Sequence, residues 1–236
     1  MLVGLKDFIK KTVYKIVPPP FMYNRTFSQT GEDAIVQFLF ADKKMNKISY
    51  LDIGTNLPDH INNTYLFYLS GSSGVCVEAD KTLIPQIKKI RPRDKVLNIG
   101  ISDKAEHEAN FYIFNFGMNT FDEKEVALRT ASGNYKVLEV VKMPLQSINS
   151  IIKNNFVSYP DFLSIDIEGL DLSVLKTLDF NSFPIPVICT ETCAYSENHV
   201  RPKDFRIQEF LTFVGYEVYA DTYINTIFVN KKWFYN

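Results

Sequence analysis

The chain has 236 residues, 46% of them hydrophobic, which is enough to bury the core of one domain with a short appendage. Lys and Arg number 26 against 27 Asp and Glu, for a formal net charge of −1, so no cationic excess exists to neutralise a phosphate backbone and nucleic acid is excluded as a partner. No apolar run approaches the ~20 residues of a membrane-spanning helix. Cys76, Cys189 and Cys193 cannot all pair, and two of them fall in predicted core strands, which points to a reducing, cytoplasmic compartment. Cys189-x-x-x-Cys193 has no second pair with which to build a zinc site.

In chain order, Leu2, Val3, Leu5, Phe8, Ile9, Val13, Ile16 and Val17 interleave with Lys6, Lys10, Lys11 and Lys15 at helical spacing until Pro18-Pro19-Pro20 ends the pattern. A small-residue cleavage site is missing, so a signal peptide is not expected. Such a basic amphipathic helix packs on its own domain, docks a glycosyltransferase-type partner or lies on an anionic membrane face. Residues 1–26 are therefore set apart from a domain at 27–236. A helix with an acidic first turn follows at 34–40, then a strand at 48–53, a helix at 62–69, a strand at 74–77, a helix at 82–90 and a strand at 95–99. Residues 111–141 are irregular, with short strands at 111–114 and 137–141 around a Gly117-Met118-Asn119-Thr120 loop. A helix at 145–153, a strand at 161–166, an amphipathic stretch at 170–178, a strand at 186–191 and a helix at 202–214 precede a closing antiparallel hairpin at 216–219 and 226–229. This alternation predicts an α/β, doubly wound, mostly parallel sheet with one antiparallel element at its C-terminal end.

The ends of the predicted strands collect carboxylates: Asp52, Glu78, Asp103, Asp166, Glu168 and Glu191. Ligands of open α/β sheets bind at that edge, and clustered like charges are costly unless something uses them. A dinucleotide site would show G-x-G-x-x-G, whereas Asp52-Ile53-Gly54-Thr55-Asn56 carries one glycine, with Pro58 and Asp59 where the pyrophosphate should lie. An NAD-dependent oxidoreductase is the alternative that this disfavours. S-adenosylmethionine has no phosphate; Asp52 is suited to its amino group and Glu78 to its ribose hydroxyls. The turn Asp166-Ile167-Glu168-Gly169 lacks the Asp/Asn-Pro-Pro-aromatic pattern of nucleobase N-methylation and has no cysteine for carbon methylation.

Ser28-Gln29-x-Gly31-Glu32-Asp33, Leu51-Asp52-Ile53-Gly54, Asn63-Thr64, Val77-Glu78-Ala79, Asn98-Ile99-Gly100-Ile101-Ser102-Asp103 and Phe162-Leu163-Ser164-Ile165-Asp166-Ile167-Glu168-Gly169 together resemble the FkbM-type methyltransferase family, in order from about Phe27 to Val229. The resemblance implies a class I methyltransferase-like (Rossmann-like) fold and methyl transfer from S-adenosylmethionine to hydroxyls, typically of sugars or polyketide-like products. It also implies cofactor contacts at Asp52, Gly54, Glu78 and the Ser102-Asp103 turn, with Asp166 and Glu168 beside the reacting centre. The full candidate cofactor set adds Gln29, Thr55, Asn56, Thr64, Ala79 and Asp166. The function expected is O-methylation of a carbohydrate or glycolipid-type acceptor in polysaccharide biosynthesis. A non-catalytic docking module is the other alternative.

In-line methyl transfer needs positioning and a base for the acceptor hydroxyl, and Asp166, Glu168, Glu191 and His199 are the candidates. Asp166 with Glu191 could instead hold a divalent cation, though a metal-free site is favoured. His60 and His107 have weaker claims. Phe116, Met118, Asn119 and Phe121 fall where a lid over the acceptor is expected.

Overall fold

The computed structural model describes residues 25–103, 107–115, 119–131, 133–193 and 202–236. The expected N-terminal helix, His199, Phe116 and Met118 lie outside these residues. Apolar runs bounded by Gly, Asn and Asp fold in the order α1 (Glu32–Asp42), β1 (Ser49–Ile53), α2 (Tyr65–Leu69), β2 (Ser73–Val77), α3 (Ile84–Ile90), β3 (Lys95–Leu97), β4 (Gly100–Ser102), β5 (Glu108–Phe114) and α4 (Glu123–Ala131). They continue as β6 (Val137–Ser147), α5 (Ile148–Asn155), β7 (Phe162–Ile165), α6 (Asp171–Thr177), β8 (Val187–Glu191), α7 (Phe205–Phe213), β9 (Tyr216–Asp221), β10 (Asn225–Asn230) and α8 (Lys231–Phe234). No helix among the described residues is long and apolar enough to cross a membrane.

Seven strands form one sheet in the order β3-β2-β1-β7-β8-β10-β9. The first five pair in parallel, and β10 runs antiparallel between β8 and β9. The sheet is the expected doubly wound one with its C-terminal reversal. Strand order reverses between β1 and β7, where Ile53 pairs with Ile165, so the two chains leave the sheet side by side as Gly54 and Asp166.

The pleat divides the core in two. Leu51, Ile53, Val75, Val77, Leu163 and Ile165 face α5, α6 and α7 through Ile148, Ile151, Val174, Leu175 and Leu211. Tyr50, Phe162, Val187 and Cys189 face the other way, onto Val36, Leu39 and Phe40 of α1 and Phe67 and Tyr68 of α2. Each aliphatic side chain so buried contributes roughly 1.5–3 kcal/mol. The acidic first turn of α1 pins the N-terminal segment: Asp33 accepts from Thr26 Oγ1, Phe27 N and Ser28 Oγ. Glu32 accepts from Thr222 Oγ1 and Asn225 Nδ2 of the C-terminal hairpin region. Burial pushes the Glu32 carboxyl up, but hydrogen bonds from Thr30, Thr222 and Asn225 win and bring it down to about 2.

The structure departs from expectation between β3 and β7. The third strand stops at Leu97 because Asn98 Nδ2 donates to the carbonyls of Glu78 and Ala79, turning the chain out of the main sheet. Gly100–Ser102 instead joins β5 and β6 in a separate three-stranded sheet, order β4-β6-β5. β6 runs to Ser147, so the helix expected from Leu145 begins at Ile148, where the Ser147 side chain accepts from Ser150 N as its cap. Within the irregular region, Glu123–Ala131 is a helix.

Candidate active site

A cleft of about 250 Å³ opens at the point where strand order reverses. Its floor is Ile53, Gly54, Val77 and Asp166; Glu78, Ala79, Asp80 and Leu83 form one side, and Asn56 and Ile61 of the loop after β1 also line it. Gly54 N and Thr55 N both donate to Val77 O, at 3.0 and 3.2 Å, and Asp166 N donates to Ile53 O at 3.0 Å, so the turn is sewn to both neighbouring strands. Gly54 has φ +79°, and a Cβ there would sit 1.9 Å from the Asp166 carbonyl oxygen. Gly54→Ala is therefore expected to cost about 2–3 kcal/mol through left-handed strain and overpacking, lowering the melting temperature by several degrees while distorting the cleft floor. Thermal denaturation with a parallel ligand titration checks both effects.

Glu78 follows the last residue of β2 and is buried. Its Oε2 accepts from Asn56 N at 2.8 Å and its Oε1 from Asp80 N at 2.7 Å. Each oxygen thus keeps a lone pair for a ligand hydroxyl in the cleft. Burial raises the Glu78 carboxyl above its ordinary value, and the two N–H groups oppose that rise.

The insertion covers the opposite wall with Phe111, Asn119, Thr120 and Phe121. It is tied down at both ends of the cleft. Asn119 Nδ2 donates to Asp80 Oδ2 at 3.1 Å, while Thr120 Oγ1 donates to the Glu168 carbonyl at 3.1 Å. Arg129 of α4, with no exposed surface, pairs with Glu168 at 2.7 Å and with Glu125 at 3.3 Å. Glu168 itself sits at φ +52°, so the pair holds a strained residue in place.

Asp166 lines the cleft and is exposed to solvent there. Partial loss of hydration against the cleft wall pushes its carboxyl above the ordinary aspartate range, and the charges of Glu168, Asp171 and Asp52 push it further. Asp171, at the first position of α6, is pushed up to about 7 by burial against the pull of backbone N–H groups, among them that of Ile167. The turn after β7 thus carries one carboxylate neutralised by Arg129 and others whose affinity for protons is raised.

Asp52 lies elsewhere than a strand-end reading puts it. The pleat turns it to the Tyr50 side of the sheet, where it is buried and does not line the cleft. Its Oδ2 accepts from Thr64 Oγ1 (2.7 Å), Asn62 Nδ2 (3.1 Å) and Arg91 Nη1 (3.3 Å). Thr64 and Thr55 share this buried layer, Thr55 Oγ1 donating to the Asp52 carbonyl. Of the other candidate cofactor residues, Gly54, Asn56, Glu78, Ala79 and Asp166 are brought together in the cleft. Ser102 and Asp103 line an adjoining chamber, and Gln29 is exposed and outside the cleft. Of the candidate catalytic residues, Glu168 lines the cleft, whereas Glu191 ends β8 opposite Asn225 and does not. His199 lies outside the described residues, and His60 and His107 are exposed. Among the described residues, no three His, Cys, Asp or Glu side chains converge as metal ligands.

Two residues of the site went unread in the sequence. Arg91 and Arg129 are fully buried, yet each stands among surface-type neighbours (Lys88, Lys89 and Arg93 around the first; Lys124 and Glu125 before the second) that give no hint of it. Only the partners reveal them.

The reversed strand order, the single-glycine turn at the reversal and the carboxylate beyond β2 are those of a methyltransferase-like α/β domain. A family model described as a methyltransferase FkbM domain matches residues 52–218. The chain belongs to that family, and the matched span runs from Asp52 through the acidic turn after β7 into β9. No curated protein and no solved structure matches the chain in the corresponding comparisons.

Proposed function

We propose that the cleft binds S-adenosylmethionine and that the chain transfers its methyl group to a hydroxyl of a carbohydrate or glycolipid-type acceptor. The observation that carries this reading is Glu78: a buried carboxylate, each oxygen already fixed by one backbone N–H, aimed into a cleft floored by a glycine that no other residue can replace without clash. That pair of acceptor oxygens fits a vicinal ribose diol and has no phosphate-binding counterpart. When bound, the cofactor supplies an electrophilic methyl group on a cationic sulfur. Glu78 holds the ribose, the Gly54–Asn56 turn lets the backbone come close, and Ala79, Leu83 and Phe121 offer apolar surface to the base.

Asp166 takes the proton of the acceptor hydroxyl. Its raised affinity for protons suits a base working near neutrality, whereas Glu168 is already held in an ion pair with Arg129. The reaction belongs to the cytoplasmic side, where this cofactor is available, and residues 1–26 would supply any contact with membrane or glycosyltransferase.

Calorimetric titration with S-adenosylhomocysteine, with NAD in parallel, tests the reading. Binding of the former alone is the expected result, and binding of NAD alone would overturn it. Glu78→Gln replaces one acceptor oxygen by a donor facing a fixed backbone N–H. The affinity for S-adenosylhomocysteine should therefore fall by about 1.5–3 kcal/mol, roughly 10- to 150-fold.

A further inference from the structure

We propose that a second chamber beside the cleft is the acceptor site, and that it takes a saccharide that is uncharged or carries an amino group while rejecting phosphorylated and carboxylated sugars. This rests on the methyltransferase reading above. The chamber has a volume of about 610 Å³ and shares Ile101, Phe121 and Leu170 with the cofactor cleft, so the two adjoin across these three side chains. Its walls come from β4, β5, β6 and the start of α4, the elements that stand outside the seven-stranded sheet.

The junction lies at the reacting turn. Leu170 is two residues beyond Glu168, and a Cβ placed on Gly169 would lie 3.6 Å from Asp122 Oδ2 and 3.1 Å from Glu125 Cγ. The acidic side of the chamber therefore abuts the segment that carries Asp166 and Glu168.

Size, shape and polarity select the ligand class. Ligand pockets of about 300–1,000 Å³ hold drug-sized molecules, so this chamber has room for one or two sugar rings. Phe121, whose ring lies 4.7 Å from that of Phe111, and Leu145 offer an apolar face. Ser102, Asn110, Asp122 and Glu123 offer planar or short polar groups at its edges. An apolar face combined with hydrogen-bonding rims matches a pyranose, whose C–H face and hydroxyl edge alternate; a wholly apolar acceptor would leave these groups unpaired.

Charge narrows the class. Four carboxylates (Asp103, Glu108, Asp122, Glu123) face two ammonium groups (Lys124, Lys142), and Lys142 is already paired with Glu108 at 3.0 Å. The walls are left net negative. A phosphate or carboxylate on the acceptor would meet like charge, whereas a hydroxyl or ammonium would not.

The test uses the full chain loaded with S-adenosylhomocysteine and ligand-observed saturation-transfer NMR with chitobiose, cellobiose, glucose 6-phosphate and glucuronate. Asn110→Trp fills the chamber and Glu123→Lys reverses one wall charge; both side chains are exposed, so the fold should survive either change. Saturation transfer to the amino or neutral sugar, lost in Asn110→Trp with S-adenosylhomocysteine affinity unchanged, is the expected result. Glu123→Lys should weaken chitobiose more than cellobiose. Preference for the phosphate or the uronate, absence of any sugar binding, or sugar binding indifferent to Asn110→Trp would overturn the proposal. Loss of S-adenosylhomocysteine affinity in Asn110→Trp would overturn it too, by giving the chamber to the cofactor's base. Failure of the wild type to bind S-adenosylhomocysteine would instead sink the parent reading.

Discussion

Asp166→Asn should lower kcat for methyl transfer about 10²- to 10⁴-fold, the range expected for loss of a positioned base, while leaving the affinity for S-adenosylhomocysteine close to that of the wild type. The same substitution should make the fold slightly more stable at neutral pH, the gain being reduced by solvent at this exposed side chain. Partial loss of hydration and the charges of Glu168, Asp171 and Asp52 raise the folded-state pKa of Asp166 above its unfolded value. The folded chain therefore binds more protons at this site than the unfolded one, and stability falls as pH rises from the ordinary aspartate range through the raised pKa. Asparagine removes the ionisation and with it that loss. A variant that gains melting temperature and loses turnover marks a residue kept for chemistry at the expense of stability. The wild-type rate should climb with pH as Asp166 ionises, and that limb should vanish in the variant. Retained turnover in Asp166→Asn, with label followed from the methyl donor to the acceptor, would remove the base assigned here.

The main sheet was legible in the sequence because its strands are short apolar runs ended by acidic or glycine turns, and burial on both faces demands that composition. Glu78 and Asp166 were legible for the same reason: each stands one residue past a strand, where a side chain is free to face the ligand edge. Asp52 shows the limit of that rule. It is inside β1, and its parity with Tyr50 already places it on the face that packs on α1 and α2; the alternation of the pleat, applied to Tyr50-Leu51-Asp52-Ile53, contained the answer. Strands at 111–114 and 137–141 were legible, but the full length of β6 and the union of both with Gly100–Ser102 in a side sheet were hidden, because β6 is half exposed and its apolar residues alternate with Glu139, Lys142 and Gln146 without a buried face to announce it. Helix α4 has a polar composition that also suits a loop, and what holds it is Arg129, a contact with Glu168 39 residues away in sequence. Long-range ion pairs of this kind leave no local periodic trace.

Arg91 carries the second large effect. Its Nε pairs with Asp94 at 2.7 Å, its Nη1 reaches Asp52 at 3.3 Å and Asn62 Oδ1 at 3.1 Å, and its Nη2 donates to Thr64 Oγ1 at 2.7 Å. Asp94 in turn accepts from the Tyr50 hydroxyl and from Gly74 N. A guanidinium with no exposed surface thus joins β1, β2 and the far end of the loop whose Asn56 and Ile61 line the cleft. Removing one member of a buried charge cluster leaves the other charges unpaired, which costs about 3–5 kcal/mol. Arg91→Met is therefore expected to lower the melting temperature by about 6–20 °C. Asp52→Asn keeps the shape and most of the hydrogen bonds, so it should cost less stability and leave S-adenosylhomocysteine affinity nearly intact. If Asp52 instead met the cofactor's ammonium group directly, the order would invert: Asp52→Asn would lose affinity at unchanged melting temperature. Denaturation and calorimetry on the two variants separate these cases. The geometry favours the first, because Asn62, Thr64 and Arg91 surround the Asp52 carboxylate below the loop that forms the cleft.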